Sequence, residues 1–164
     1  MKRIVSIDII NSKIIATPYV QTKDLVWIGS EHVTSYENIA FLVDDLKNLL
    51  AYSKTGIANQ KRSKIIHNSM ELTLKIAGLH SYSMFEKVAK VVDIEEENGV
   101  VTISPIQHTL IDDYDFSCEQ EEVMLLDDKQ KIIQALERSI AQCVSLEEEI
   151  SNLKKINLNR GSHK

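Results

Sequence analysis

The stretch KVAKVVDIEEENGVVTISPI, residues 87–106, contains two runs rich in β-branched residues, separated by Asn98-Gly99. An Asn-Gly pair favours a type I′ turn, because both central residues of that turn need positive φ angles. The pattern therefore predicts a β-hairpin whose second strand ends at Pro105. Since strands joined by so short a turn pair antiparallel, the hairpin indicates an antiparallel or mixed sheet.

The N-terminal region predicts a second strand–turn–strand unit. RIVSIDII (3–10) and KIIATPYV (13–20) are both rich in β-branched residues, and Asn11-Ser12 lies between them. DLVWIGSEHV (24–33) adds a third extended piece, and EEVMLL (121–126) adds a short final strand. These strands lie on both sides of a helical region in the sequence.

Two helices are predicted between the strand regions. In the first, the apolar residues fall on one helical face, with Ser35 as the N-cap and Gly56 as the C-terminal stop. That face consists of Ile39, Leu42, Val43, Leu46, Leu49 and Leu50. The second helix is expected over 65–77, ending at Gly78, although its weaker pattern also allows a strand within 69–76.

The C-terminal region predicts a further helix with a clear start. Asp127 or Asp128 is the expected N-cap, and apolar residues follow it at helical spacing. Ser145-Leu-Glu-Glu resembles a second capping box. The helix therefore either breaks at this point or continues to about Ile156.

Together these elements predict an α+β fold, with a mixed or antiparallel β-sheet and helices packed on it. The 164 residues, of which 43% are hydrophobic, suit one domain over 1–156, and the polar residues 157–164 are expected to form a disordered tail. We expect no transmembrane helix and no signal peptide, and so a cytoplasmic location. The two cysteines have no CxxC spacing, which agrees with reduced thiols.

Charge is distributed very unevenly along the chain. Residues 93–128 contain 12 of its 24 Asp and Glu residues and neither Lys nor Arg. Such a segment would repel nucleic-acid phosphates, so direct nucleic-acid binding through it is excluded. It favours a basic partner, because a patch of one sign attracts its opposite. The alternative is that the carboxylates only solubilise a loop.

Enzyme and metal motifs fail when tested against the sequence. The acidic segment lacks the glycine and the final glutamate of a calcium-binding EF-hand loop, and the histidines and cysteines lack zinc spacing. Asp8 is expected to point outward from its strand, and Cys143 to be a packing thiol on a helix. Trp27 fits either a core position or an interface anchor. We therefore expect no catalytic residue, no metal and no cofactor.

The chain resembles the immunity proteins of contact-dependent growth inhibition systems over roughly residues 3–143. Four segments carry this resemblance, in the same order along the chain. They are TKDLVWI (22–28), AYSKTG (51–56), VVDIEEENGVVTISPI (91–106) and QALERSIAQC (134–143).

The resemblance implies a cytoplasmic, non-catalytic protein that binds the C-terminal toxin domain of a secreted effector. Such toxins are frequently nucleases, whose substrate surfaces are basic, so an acidic face would cover them. The residues expected to form this toxin-binding face are Glu95, Glu96, Glu97, Asp112, Asp113, Tyr114, Asp115, Phe116, Glu119, Glu121 and Glu122. Tyr114 and Phe116 would be the aromatic anchors. The sequence leaves the oligomeric state open.

Two other functions fit the same residues. The first is a small enzyme that holds a divalent metal with the carboxylates of the acidic segment. The second is an adaptor or assembly subunit, whose C-terminal helix would pack on another chain through the apolar residues Ile140, Val144, Ile150 and Leu153.

Overall fold

The computed structural model describes residues 1–107, 115–116 and 120–161. Its strands are β1 Arg3–Ile10, β2 Lys13–Gln21, β3 Trp27–Gly29, β4 Thr34–Tyr36, β5 Lys90–Glu97, β6 Val100–Gln107, β7 Asp115–Phe116 and β8 Glu122–Leu125. Its α-helices are α1 Ile39–Tyr52, α2 Arg62–Ala77, α3 Tyr82–Val88, α4 Lys129–Gln142 and α5 Leu146–Gly161. A short 3-10 helix, Asn59–Lys61, leads into α2. No helix of the described residues is long and apolar enough to cross a membrane.

The strands form one sheet in the order β3-β2-β1-β5-β6-β7, with β4 also pairing β2 and β8 also pairing β6. Every pair of these strands is antiparallel. The predicted α+β class with an antiparallel sheet is therefore confirmed. The two central strands, β1 from the N-terminus and β5 from the middle of the chain, pair over seven positions, from Arg3 opposite Glu96 to Ile9 opposite Lys90.

Both predicted tight turns are present. Asn98 and Gly99 have φ angles of 55° and 81°, and Asn11 and Ser12 have φ angles of 49° and 67°. Positive φ at both central residues gives the backbone twist that a two-residue hairpin needs. The prediction that Pro105 ends the second strand is wrong, because β6 continues to Gln107. Pro105 lies between the positions where β8 and β7 pair with β6, and such a gap tolerates a missing amide.

Helices cover the sheet on two faces with different chemistry. On the first face, α1 and α4 enclose a large apolar core that includes Val5, Ile7, Ile94, Ile103 and Leu136. On the second face, α2 and α3 enclose a smaller apolar cluster around Phe85, together with a set of buried polar side chains. The polar side chains on the second face form the site described below.

The boundaries of α1 differ from the prediction at both ends. Ser35 belongs to β4, and the N-cap is Asn38, whose side chain accepts a hydrogen bond of 3.0 Å from Phe41 N. The helix ends at Ser53 and not at Gly56. The buried Ser53 hydroxyl accepts a hydrogen bond from Ile4 N at 2.9 Å and donates one to Tyr19 O at 2.7 Å, and these bonds tie the end of the helix to β1 and β2.

Three other predicted helix boundaries, at Gly78, Asp128 and Ser145, are confirmed. Residues 69–76 are helical, and α2 ends at Gly78, which takes the left-handed conformation. Asp128 is the N-cap of α4. Ser145 and Glu148 form a reciprocal capping box that starts α5, so the helix does break there. Because α5 extends to Gly161, the boundary predicted for the tail at residue 157 lies within this helix, and 162–164 lie outside the described residues.

Candidate functional site

A cavity of about 440 Å³ lies between the second face of the sheet and helices α2 and α3. Strands β1, β2 and β5 supply its polar floor, and α2 supplies much of its roof. The floor residues are Ser6, Asp8, Thr17, Tyr19 and Asp93, and the roof residues are Ile66, Ser69, Met70, Thr73 and Leu74. The volume is within the usual range for small-molecule sites.

Asp8 is at the centre of this floor, and its side chain is only 7% exposed. The prediction that it points outward into solvent is wrong, because α2 and α3 cover the face of β1 on which Asp8 lies. Burial, reinforced by the negative charge of Asp93, raises the pKa of Asp8 to about 7. A carboxyl group with this pKa changes its charge close to neutral pH.

Asp93 on β5 is the diagonal neighbour of Asp8 on the same face, since Ser6 pairs with Asp93 and Asp8 pairs with Val91. Burial raises the pKa of Asp93 to about 6, against an opposing hydrogen bond from Ser6. The same burial and the two carboxylates also raise the pKa of Tyr19. The three groups therefore share one negatively charged, poorly solvated space.

Two buried polar atoms of the cavity have no hydrogen-bond partner among the described residues. They are Thr17 Oγ1, on a side chain that is only 4% exposed, and Asp93 Oδ1. Buried polar atoms are nearly always hydrogen-bonded, so each such atom calls for a ligand or water. Moreover, the described residues that line the cavity include no Lys, Arg or His to balance the two carboxylates.

Two further aromatic side chains line the cavity. Trp27 on β3 is half-buried, and Tyr82 on α3 is more exposed. Trp27 is therefore neither a core residue nor a fully exposed anchor. Asp8 and Asp93 were missed as a pair because their strands are far apart in sequence. The available signal was an acid inside each of two otherwise apolar strands.

The acidic residues predicted at the tip of the β5–β6 hairpin lie beside basic groups from the N-terminus. Glu95 pairs with Lys2 at 2.6 Å, and Glu97 lies 3.7 Å from the N-terminal amino group. Glu96 is 2% exposed, accepts a hydrogen bond of 2.5 Å from Arg3 Nε, and accepts another of 2.7 Å from Gly99 N. Glu96 therefore stabilises the hairpin, whereas Glu95 and Glu97 lie at the surface.

Of the other predicted acids, the structure describes Asp115, Glu121 and Glu122. Glu122 makes a two-point ion pair with Arg138 of α4, and Glu121 accepts a hydrogen bond from Ser104 at 3.2 Å. Asp115 and Phe116 form β7, which pairs with Gln107 and Ile106 of β6. The remaining predicted residues, Asp112, Asp113, Tyr114 and Glu119, lie outside the described residues.

An apolar strip lies beside these carboxylates. Val123 and Leu125 on β8 are 66% and 65% exposed, and Val100, which pairs with Leu125, is also exposed. They share the sheet face that carries Glu95 and Glu97, beyond the area that α2 and α3 cover. Exposed apolar side chains bordered by charged ones are typical of protein-binding surfaces.

Other groups with potential chemistry have structural roles. Cys143 is buried, as expected for a packing thiol, and its Sγ donates to Val91 O at 3.3 Å. Ile140, predicted as part of an assembly surface, packs against the apolar core. Within the described residues, no group of three or more His, Cys, Asp or Glu side chains is arranged to hold a metal ion.

Comparisons with known proteins show the fold. No protein-family model matches the sequence, and no curated protein matches it significantly. A Neisseria meningitidis protein of unknown function superposes with a TM-score of 0.70 at 16% identity, covering 88% of this chain and 96% of that one. A chain of a CdiA-CT/CdiI toxin and immunity complex from Yersinia pseudotuberculosis superposes with a TM-score of 0.67 at 14% identity, covering 88% and 98%. The chain thus shares its fold, over nearly the whole length of both structures, with a component of a toxin and immunity complex.

Proposed function

We propose that this chain is an immunity protein that binds and neutralises the toxin domain of a contact-dependent growth inhibition system. One observation carries the proposal: the fold is similar, at a TM-score of 0.67, to a chain of the Yersinia pseudotuberculosis toxin and immunity complex. The immunity role is favoured over the toxin role by the sequence resemblance described above. An immunity protein needs only to bind the toxin domain, and it acts in the cytoplasm of the protected cell.

The proposed binding surface is the part of the sheet that no described helix covers, together with the acidic segment beside it. The exposed carboxylates of Glu95, Glu97 and Glu121 border the apolar side chains of Val123 and Leu125. A central apolar contact with a charged rim is the usual composition of a specific protein interface. Asp112, Asp113, Tyr114, Asp115, Phe116 and Glu119 complete this proposed surface, whereas Glu122 pairs with Arg138 of α4 on the opposite face.

A nuclease is the toxin class that fits an acidic surface best. A nuclease needs a basic groove to hold the phosphate backbone of its substrate. An immunity protein whose carboxylates occupy that groove excludes the substrate, and their charge accelerates association at low salt. The N-terminal amino group and Lys2 lie close to Glu97 and Glu95 and partly offset their charge, and the sequence of residues 112–122 adds six carboxylates without a Lys or Arg.

The test is a growth competition between cells that express this chain and inhibitor cells that deliver the toxin encoded beside its gene. Specific protection, with direct binding of the purified toxin domain to this chain, would support the proposal. Neither protection nor binding would refute it.

Charge reversal locates the surface. Replacing Asp112, Asp113 and Asp115 with Lys should raise the Kd for the toxin domain at least tenfold and weaken its salt dependence. The matched control replaces three exposed acids outside the acidic segment, Glu37, Glu71 and Glu147, with Lys, which gives the same change in net charge. An equal loss of affinity in both variants would indicate only long-range attraction and would refute the proposed surface.

A further inference from the structure

The cavity on the second face of the sheet contains the buried carboxylate of Asp8, the half-buried Asp93 with its buried Oδ1 atom, and no basic side chain among its described lining residues. Neither Asp8 nor Asp93 takes part in any ion pair found among the described residues. By contrast, the other strongly buried acid, Glu96, is paired with Arg3. Buried charges are normally paired, because an uncompensated charge is costly to remove from water. The cavity is therefore built for a positive charge that the described part of the chain does not supply.

The polar atoms on the floor indicate the geometry of that charge. Asp8, Thr17 and Asp93 stand on three neighbouring strands, β1, β2 and β5, and therefore approach the cavity from different positions. Thr17 Oγ1 and Asp93 Oδ1 have no partner within the described residues. Ser6 stands between Thr17 and Asp93 in the sheet, so Asp8 and Asp93 are the two acceptors that one cation can bridge. Two carboxylates on different strands suit an ammonium group, whose three N–H donors point in different directions, better than a planar guanidinium, which prefers one carboxylate edge.

The apolar residues that line the cavity indicate which kind of chemical group would carry the ammonium. Ile66, Met70 and Leu74 line the cavity from α2, and the partly exposed Trp27 and Tyr82 line it from β3 and α3. Aromatic faces attract cations, and apolar walls accept an alkyl chain. The cavity therefore combines a negatively charged floor with apolar walls.

The geometry points to a binding site for an alkylammonium group, with the ammonium between the diagonal neighbours Asp8 and Asp93 and the alkyl chain along α2. A free amine and a lysine side chain of a protein partner share this chemistry. The site itself does not depend on the proposed immunity function. Only the lysine alternative rests on that function.

The charge state of the floor supports the site. Burial raises the pKa of Asp8 to about 7 and that of Asp93 to about 6, so a bound cation would favour the ionised forms of both. The other polar groups facing the pair include Ser6 and Tyr19 on the sheet and Tyr82 on α3, together with the more distant charges of Glu95 and Lys2, which partly offset each other. Binding should therefore be tighter at pH 8 than at pH 5.

The experiment titrates the whole chain with n-butylammonium chloride at pH 8. Trp27 is the only tryptophan and lines the cavity, so its fluorescence reports occupancy without any mutation. Butanol controls for the alkyl chain, and ammonium chloride controls for the charge. We expect a saturable change in Trp27 emission and a rise in Tm with butylammonium, and much smaller changes with either control.

Two variants test the floor. Asp8→Asn and Asp93→Asn should each weaken butylammonium binding at least tenfold, whereas Glu37→Gln, an exposed acid, should not change it. Circular dichroism confirms that each variant is folded. If either floor variant fails to fold, the wild-type titrations at pH 8 and pH 5 still decide. Absence of a saturable fluorescence change at millimolar butylammonium, or an equal response to butanol, would overturn the site.

Competition identifies the source of the ammonium group. If butylammonium weakens binding of the toxin domain, a lysine side chain of the partner occupies the cavity. If the amine binds without affecting the toxin domain, the ligand is a free amine. Failure of the chain to bind any toxin domain would refute the proposed function while leaving the amine titration unchanged.

Discussion

Arg3 Nε donates a hydrogen bond of 2.5 Å to Glu96 Oε2, and the two residues stand directly opposite each other on paired strands β1 and β5. This contact joins the N-terminal strand to the tip of the central hairpin. Glu96 is almost fully buried, and it also accepts a hydrogen bond from Gly99 N in the turn. One carboxylate therefore fixes both the start of β1 and the turn of the β5–β6 hairpin.

Arg3→Gln should destabilise the fold at neutral pH, because it leaves the Glu96 carboxylate buried without its cation. Since Arg3 is itself partly exposed, we expect a loss of about 1–3 kcal/mol, less than for a fully buried pair. Urea unfolding of the wild type and the variant measures this loss. The control is Lys2→Gln, which breaks the exposed pair with Glu95 and should cost less than about 1 kcal/mol.

The loss of stability caused by Arg3→Gln should depend on pH. The contacts with Arg3 and Gly99 lower the pKa of Glu96 below its ordinary value, so their stabilisation is present above that value. It is lost as the pH falls through the lowered pKa and Glu96 becomes protonated. The difference in unfolding free energy between wild type and Arg3→Gln should therefore shrink in acid. A difference that stays constant from neutral to acidic pH would show that packing, and not charge, causes the loss.

Asp8→Asn should stabilise the protein, and the gain should increase as the pH rises. The folded-state pKa of Asp8 is raised to about 7. The unfolding free energy of the wild type therefore falls as the pH rises from about 4 to above 7, because Asp8 ionises less readily in the folded than in the unfolded chain. The gain from Asn should be small at pH 4 and reach a plateau above pH 7, with an upper bound of about 4 kcal/mol at 1.36 kcal/mol per pKa unit. Thermal unfolding from pH 4 to pH 8 measures it, with Glu37→Gln as the exposed control. A variant less stable than wild type at pH 8 would contradict this account.

Cys143 should resist thiol reagents in the folded protein. Its side chain is buried, and burial raises the pKa of its thiol to about 11, so the reactive thiolate is scarce at neutral pH. In a Cys118→Ser background, Cys143 is the only cysteine of the chain. Labelling with a maleimide should then occur at the rate of unfolding and become fast in denaturant. Rapid labelling of the native protein would contradict the burial of α4 against the sheet.

A side chain at position 29 should be accommodated only if Ser69 of α2 moves away from β3. A Cβ at this position would lie 2.8 Å from Ser69 Oγ and 3.2 Å from Thr17 Cγ2. Gly29→Ala should therefore cost about 1–2 kcal/mol through overpacking. Adding Ser69→Ala should recover part of that loss, because it removes the closest atom, and a double-mutant cycle measures the coupling. Strictly additive losses would show that α2 does not pack on β3 as described.

Local sequence patterns predicted the elements whose causes are local. The residues Asn98-Gly99 are sufficient to indicate a turn, and Asp128 is sufficient to indicate the start of a helix. The capping box at Ser145 indicates the break between two helices. The start of α1 was misplaced because Ser35 is a good N-cap in isolation. Because β4 pairs with β2, Ser35 lies in the sheet, and Asn38 is the N-cap of α1 instead.

The candidate site depended on contacts that no local pattern records. Asp8 appeared to be an outward-facing strand residue because nothing in its own strand indicates that α2 and α3 cover that face. Asp93 follows it by 85 residues in the sequence and reaches it only through the pairing of β1 with β5. The same pairing brings Lys2 and Arg3 to Glu95 and Glu96, so an acid-only segment of sequence is partly neutralised in the fold.

The unequal covering of the two sheet faces has a consequence for cooperativity. Helix α1 buries five large apolar side chains against the sheet, whereas α2 buries only Ser69, Thr73 and Ala77 and roofs a cavity. Local opening free energy follows the apolar area that an element buries. The sheet with α1 and α4 therefore forms the slow-exchanging unit of the molecule, and α2 with α3 forms a unit that detaches first, so that amide hydrogen exchange reaches α2 long before α1.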